Sequence, residues 1–242
     1  LVAQETTVYG KDLYGKKSLH ILLKKLCEIR GIRWIRILYC YPEEIYDELI
    51  ETIRDEKKIC HYLDIPIQHA SDRILKRMGR RTSKQELIDI VGKLRKEIPD
   101  IVLRTTLITG FPGETEEDHE ELKEFVDEME FDRLGVFTYS PEENTPAAEM
   151  ADQVPEEVKE ERRDELMELQ QEISYDRGQD RIGQELLVMI EGKVADESAY
   201  IGRTYGDAPK VDGYIFVQTG ELLMTGALEY DLIGVLSDEY TE

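Results

Sequence analysis

The sequence predicts an α/β protein in two parts: a partial parallel (β/α) barrel, followed by a small all-β barrel. Strand-like and helix-like segments alternate from the first residue to about residue 178, and the strand-like segments are apolar and often β-branched. Both features are typical of buried parallel strands. Later strand patterns are short and separated by turns rich in glycine and aspartate, which is typical of a small β-barrel. We therefore expect domains at residues 1–179 and 180–242, with an open doubly wound sheet as the alternative for the first.

The expected strands of the first domain are the end of a strand at residues 1–6 and complete strands at residues 34–40, 62–67, 102–108 and 133–140. Helical spacing of apolar residues predicts helices at residues 17–30, 71–78, 83–97, 115–130 and 156–177, with another beginning at Pro42. Ser83 with Glu86 has the spacing of a capping box, and Thr115 with Asp118 has a similar one.

The second domain is expected to contain strands at residues 185–190, 199–204, 214–219, 222–225 and 232–236. At the other end, the chain begins in an apolar stretch without an initiator methionine. We therefore expect further chain upstream of Leu1.

The chain has 53 acidic and 31 basic residues and a net charge of -22. So acidic a protein repels phosphate backbones and suits a basic partner, although acidity that serves only solubility is the alternative. No signal peptide and no apolar run long enough to span a membrane is present. Cys27, Cys40 and Cys60 are irregularly spaced, so we expect buried thiols, no metal site made of these three alone, and a reducing cytoplasm.

Polar residues follow four of the predicted strands, at residues 4–7, 68–71, 109–114 and 139–140. In a parallel barrel these strand ends converge on one face, where sites form. The stretch 109–114, with two glycines and a proline, is the sharpest candidate for close approach of a ligand; a plain turn before a capped helix is the alternative. His69 fits either a general acid or base or a structural histidine. The basic cluster of Lys76, Arg77, Arg80 and Arg81 fits either a carboxylate site or a solvated face.

Several motifs, taken in order, resemble the radical SAM (S-adenosylmethionine) methylthiotransferases of the RimO type. They lie at residues 34–43, at 64–68 with 74–80, and at 103–115. In the second domain, residues 202–204 and 207–213 resemble the TRAM domain of the same branch. The resemblance runs from Leu1 to Leu236, which makes the expected barrel one of radical SAM type and the β module a TRAM barrel.

The resemblance implies an enzyme that adds a methylthio group to the β-carbon of an aspartate in small-subunit ribosomal protein 12. It also implies SAM, two [4Fe–4S] clusters and an electron donor in the full-length enzyme. The CxxxCxxC loop that holds one cluster does not occur in this sequence, and the three cysteines match no ligand of the family. We therefore expect no cluster on this chain alone, and no activity from it.

Six residues match the family's motifs near SAM. Gln68 and Ser71 match the end of the fourth barrel strand, and Thr109 and Gly110 match the end of the fifth, near the adenine. The remaining two are Arg80, which we expect to pair with the SAM carboxylate, and Gln4, which lies closest to the cluster loop. No residue of this chain is assigned a catalytic role.

Charge gives an independent argument about the partner. Residues 180–242 contain 13 acidic and 4 basic residues, a net charge of −9. An RNA-binding module is expected to show a basic face, so this charge argues against tRNA and for a basic ribosomal protein. The alternatives are a tRNA adenosine methylthiotransferase of MiaB-like type and a non-catalytic acidic scaffold that binds proteins.

Overall fold

The computed structural model describes residues 1–195, 199–218, 226–227 and 230–235. The chain divides into two compact units, Leu1–Gln170 and Gln171–Glu242. The predicted domain boundary between residues 179 and 180 stays a prediction. Among the described residues, no helix is long and apolar enough to cross a membrane.

The first unit is built on a parallel sheet of four strands in sequence order. The strands are β1 (Ile35–Ile37), β2 (Ile59–Asp64), β3 (Val102–Thr109) and β4 (Arg133–Thr138). Seven α-helices are described: α1 (Lys11–Tyr14), α2 (Leu19–Cys27), α3 (Asp47–Asp55), α4 (Asp72–Arg77), α5 (Lys84–Glu97), α6 (Glu116–Met129) and α7 (Glu156–Gln179). The strand–helix alternation and the parallel pairing are confirmed.

The two faces of β3 differ in burial. Leu103 and Leu107 are fully buried, whereas Arg104, Thr106 and Ile108 alternate with them and are half-buried. Successive side chains of a strand point to opposite faces, so one face of β3 is packed in the core and the other is more open. Pockets at the carboxyl ends of the strands therefore have access from the open face.

Both predicted capping boxes are confirmed. The Ser83 hydroxyl accepts from the N–H of Glu86, and the Glu86 carboxylate accepts in return from the N–H of Ser83. Thr115 and Asp118 make the same reciprocal pair at the start of α6. Each pair satisfies two backbone donors that a helix leaves unbonded at its first turn, which fixes where the helix begins.

Two predictions at the start of the chain are wrong. Residues 1–6 form no strand, although Leu1 accepts a hydrogen bond from Leu38 N–H at 3.1 Å and the Thr6 N–H donates to the Tyr39 carbonyl at 2.9 Å. The contacts are too few and too irregular for a ladder. Pro42 opens only a 3-10 turn, Pro42–Glu44, because Ile45 returns to extended backbone before α3 begins.

The second unit contains a separate small sheet, which confirms an all-β module. Its strands are β5 (Met189–Lys193), β6 (Ala199–Arg203), β7 (Ile215–Gln218), β8 (Gly226–Ala227) and β9 (Leu232–Val235), in the order β5-β6-β7-β9-β8. Pairing is antiparallel except between β7 and β9. The strand predicted at residues 185–190 lies later, because pairing with β6 places Met189–Lys193 opposite it. The strand predicted at residues 222–225 lies outside the described residues.

Candidate functional site

A pocket of about 430 Å³ lies at the carboxyl ends of β3 and β4 and beside the segment that follows β2. Its volume is in the range of small-molecule sites, which are mostly apolar with a few placed polar groups. The wall has that composition. The residues that the site's chemistry depends on are Gln68, Arg80, Ile108, Phe111, Phe137 and Tyr139.

Gln68 reaches the pocket from a left-handed backbone conformation with φ of 73°. Its N–H donates to the Thr106 carbonyl at 2.9 Å, and its carbonyl accepts from the Ile108 N–H at 2.8 Å. Such a conformation costs a non-glycine residue on the order of 1–3 kcal/mol and persists when surrounding bonds fix it. The bonds to β3 supply that support, so the position of Gln68 is set by its backbone.

Arg80 supplies the positive charge of the pocket. Its guanidinium donates to the Pro66 carbonyl at 2.5 Å and lies 4.7 Å from the centre of the Tyr41 ring. Tyr41 is itself held, since its N–H donates to the Glu5 carboxylate at 2.8 Å. A planar guanidinium fixed in this way suits a carboxylate ligand.

Aromatic rings form the apolar wall. Phe111 and Tyr139 meet edge to face with centroids 5.2 Å apart, and Phe137 leaves 60% of its surface exposed. Edge-to-face pairs of this kind leave ring surface for a flat ligand. The Tyr139 hydroxyl is buried and has no hydrogen-bond partner within the described part of the chain. The wall therefore offers stacking surface and one unsatisfied polar group.

The turn that carries Phe111 is fixed by the buried carboxylate of Glu114. This carboxylate accepts from the N–H of Gly110 at 2.8 Å, from the N–H of Phe111 at 3.2 Å and from the Arg162 guanidinium at 2.9 Å. Gly110 has φ of 70°, which a glycine adopts readily. The sharp candidate stretch of the sequence is thus a turn whose charged residue faces inward.

A second buried cluster underlies the segment that follows Gln68. His69 is fully buried, and its Nδ1 accepts from the Ser71 N–H at 2.9 Å. The Ser71 hydroxyl donates to Asp118 at 2.7 Å, and Arg73 forms an ion pair with the same carboxylate. Burial alone would raise the pKa of Asp118, but the bonds from Arg73 and Ser71 outweigh it and hold the pKa well below its usual range.

The six predicted site residues separate into two groups. Gln68 and Arg80 line the pocket. Ser71 and Thr109 are buried behind it, and Gly110 packs against Lys159. Gln4 is exposed, in the segment bonded to β1, at the opposite edge of the sheet from β4. Cofactor contact stays a prediction for all six.

Seven pocket residues were not among the predicted six: Met78, Ile108, Phe111, Phe137, Thr138, Tyr139 and Ser140. Tyr139 belongs to the polar strand end at residues 139–140, so its position signalled a site. Ile108 and Phe137 occupy paired positions on β3 and β4, and their apolar side chains gave no signal distinct from a core residue.

Among the described residues, no group of three His, Cys, Asp or Glu side chains could hold a metal ion. Cys40 and Cys60 are buried, and burial raises the pKa of the Cys40 thiol well above its usual value, which disfavours the thiolate that binds iron. These residues do not fit an iron–sulfur cluster. The pocket lining, in contrast, has groups that would suit SAM: aromatic faces for the adenine and the Arg80 guanidinium for the carboxylate.

Comparison with known protein families agrees with this geometry. The family described as the radical SAM superfamily matches residues 4–126, half of the chain, and the TRAM domain family matches residues 182–236. The chain therefore belongs to the radical SAM superfamily. Membership implies SAM and a [4Fe–4S] cluster as its cofactors.

Curated relatives are more specific. The chain is 66% identical over 243 residues to a protein of Lachnoclostridium phytofermentans named ribosomal protein uS12 methylthiotransferase RimO, covering 97% of this chain and 55% of the relative. It is 52% identical to a protein of the same name from Clostridium botulinum, covering 100% of this chain and 56% of the relative. The chain thus spans about half the length of the curated relatives it matches.

Among solved structures, coproporphyrinogen III oxidase (HemN) of Escherichia coli, described as a radical SAM enzyme, matches with a TM-score of 0.53 and 22% identity. The match covers 68% of this chain and 38% of the oxidase. At this identity the likeness concerns the fold alone.

Proposed function

We propose that the full-length protein carrying this chain is a radical SAM methylthiotransferase that adds a methylthio group to the β-carbon of an aspartate in ribosomal protein uS12. The observation that carries the proposal is identity of 66% and 52% to uS12 methylthiotransferases along nearly the whole chain. The second of these matches covers the whole chain, so the aligned region includes the pocket residues and the TRAM region.

The pocket residues would hold SAM as follows. Arg80 would bind its carboxylate, and the ring faces of Phe111 and Tyr139 would flank the adenine. The Gln68 amide would bind a polar group between these two ends. When bound, SAM would supply the chemistry that removes hydrogen from an unactivated carbon. The task of this chain's residues is to orient SAM and exclude water from it.

Two [4Fe–4S] clusters and an electron donor belong to the proposal for the full-length protein. The described residues do not fit a cluster, so we propose that the cluster ligands are not among them. The Gln4 segment, at the β1 edge, stays the proposed neighbour of the cluster loop.

The proposed partner is a basic protein in the cytoplasm. The chain carries a net charge of -22, so it attracts a basic ribosomal protein and repels the phosphates of tRNA. We expect association with the ribosomal partner to weaken as salt rises, because salt screens exposed charges. Binding that does not change with salt would contradict this electrostatic account.

The test is methylthio transfer by the full-length protein. The protein is reconstituted anaerobically with iron and sulfide and incubated with SAM, a reductant and small ribosomal subunits, and the intact masses of the ribosomal proteins are then measured. We expect a methylthio gain on uS12. SAM cleavage without a mass gain on any protein would contradict uS12 as the substrate, and tRNA would then be tested as the substrate. Absence of bound iron would favour the scaffold.

A further inference from the structure

The first turns of α7 contact the turn at residues 109–114 and the end of β4, which both contribute residues to the SAM pocket. Lys159 and Arg162 are one helical turn apart, on the same face of the helix, and both are buried. Buried lysine and arginine side chains are rare unless they are paired, so their contacts indicate what they stabilise. Neither residue lines the pocket, which separates their role from that of Arg80.

Lys159 joins the end of β3 to the end of β4. Its ammonium donates to the Tyr139 carbonyl at 2.9 Å and to Glu156 at 3.0 Å. Its aliphatic part fills the space beside Gly110, where an added Cβ would clash with Lys159 Cγ. The Thr109 hydroxyl donates to the Lys159 carbonyl at 3.2 Å, so backbone and side chain contact the same turn.

Arg162 supports the other end of that turn. One guanidinium nitrogen donates to the Glu114 carboxylate at 2.9 Å and to the Glu114 carbonyl at 3.3 Å. The other donates to Glu116 at 3.1 Å. Because the Glu114 carboxylate in turn binds the N–H groups of Gly110 and Phe111, Arg162 is connected to the pocket wall through a single side chain.

We propose that Lys159 and Arg162 are positioning residues for cofactor binding, which hold the turn at residues 109–114 and the end of β4 at the spacing that SAM requires. The inference rests on the proposed function, because it assumes that the ligand is SAM. The two residues touch neither the pocket space nor the reacting atoms, and they act through Phe111 and Tyr139. Displacement of either ring misaligns the wall against which the adenine packs.

The experiment measures binding of S-adenosylhomocysteine, a non-reacting analogue, to the reconstituted full-length protein by titration calorimetry. The variants are Lys159→Ala, Lys159→Met, Arg162→Ala and Arg162→Lys. Lys123→Ala is the matched control, because Lys123 also pairs with α7, through Glu165 at 2.9 Å, but lies away from the pocket. Hydrogen exchange of the peptide containing residues 109–114, well below each melting temperature, reports the order of the turn directly.

We expect the Kd to rise on the order of tenfold for each alanine variant, with faster exchange in the turn, and to stay within about twofold of wild type for Lys123→Ala. Lys159→Met keeps the aliphatic contact with Gly110 and Arg162→Lys keeps the charge, so both should recover part of the affinity. Unchanged Kd in the alanine variants, with wild-type binding intact, would overturn the positioning role alone. The same holds if the control loses as much affinity as they do. A wild-type protein that binds no analogue would overturn the SAM pocket itself, and this inference with it.

Discussion

Two turns at the carboxyl ends of neighbouring strands lead into helices. Both contain a residue with left-handed backbone conformation, but the role of that residue differs between them. The two residues are Gln68, with φ of 73°, after β2, and Gly110, with φ of 70°, after β3. The residue at the first position lines the pocket. At the second a side chain is excluded, because Lys159 fills the space that a Cβ would need.

The supporting carboxylates differ in the same way. Asp118 anchors the segment after Gln68 from a distance, through the side chains of Ser71 and Arg73. Glu114 lies within its own turn and binds that turn's backbone directly. The β3 turn therefore presents backbone and one ring to a ligand, whereas the β2 turn presents a polar side chain.

The largest expected effect on the free energy of unfolding is the loss of the Glu114 carboxylate, which binds the backbone of its own turn. Glu114→Ala leaves the buried Arg162 without its main partner, and a broken buried ion pair costs about 3–5 kcal/mol. Chemical denaturation should show that loss of unfolding free energy. Glu116→Ala is the control, since Glu116 also pairs with Arg162 but its side chain is 67% exposed, and a change below about 1 kcal/mol is expected. Equal losses in the two variants would contradict the inward role of Glu114.

Gly110→Ala tests why the second turn needs glycine. The new Cβ meets Lys159 and the backbone keeps a positive φ, so we expect a loss of about 2–4 kcal/mol of unfolding free energy. Gly79→Ala separates the two causes, because Gly79 has φ of 73° and a methyl group added there would have nothing within 4 Å. That control should lose only about 1 kcal/mol, the cost of the conformation. Similar losses would mean that contact with Lys159 is unimportant.

The sequence predicted where the turns lie better than it predicted which of their side chains face the pocket. Strand–helix alternation is a local signal, and it placed the polar segments that follow β2, β3 and β4, whereas the segment at residues 4–7 follows no strand. Whether a polar residue faces a ligand or the core depends on neighbours far along the chain. Ser71 is buried by Asp118, 47 residues later, and Thr109 and Gly110 by Lys159, about 50 residues later.

The same limit explains the pocket residues that the sequence did not single out. Phe137 and Ile108 are apolar strand residues, and only the register of β3 against β4 places them side by side at the pocket. Arg80 was predicted from the resemblance to the family's motif, because the basic cluster alone left a solvated face as the alternative. Its contacts with Tyr41 and Pro66, which orient it, join segments that no local pattern connects.

A smaller effect on stability is expected at Asp118, which binds Ser71 and Arg73 in the segment after β2, and this effect should depend on pH. The pKa of Asp118 is depressed in the folded protein, so its contribution is present above the unfolded pKa of about 4 and is lost as pH falls toward the folded value. Asp118→Asn should cost about 2 kcal/mol at neutral pH, by weakening hydrogen bonds to a charged acceptor. Denaturation at several pH values should show that difference narrow below about pH 4. Asp127→Asn, at an exposed position of the same helix, is the control, and it should change the unfolding free energy at neutral pH by less than about 0.5 kcal/mol.

The smallest effect on stability is expected at Arg80, which lines the pocket, but its replacement should clearly weaken ligand binding. Arg80→Ala should weaken binding of S-adenosylhomocysteine about tenfold, equivalent to about 1.4 kcal/mol, because the guanidinium no longer meets the ligand carboxylate. Ser71→Ala should instead lower the melting temperature with little change in Kd, since its hydroxyl is bonded to Asp118 behind the pocket. Calorimetric titration with thermal unfolding separates the two. Unchanged affinity in Arg80→Ala would remove Arg80 from the binding site, and a weakened affinity in Ser71→Ala would show that Ser71 also supports ligand binding.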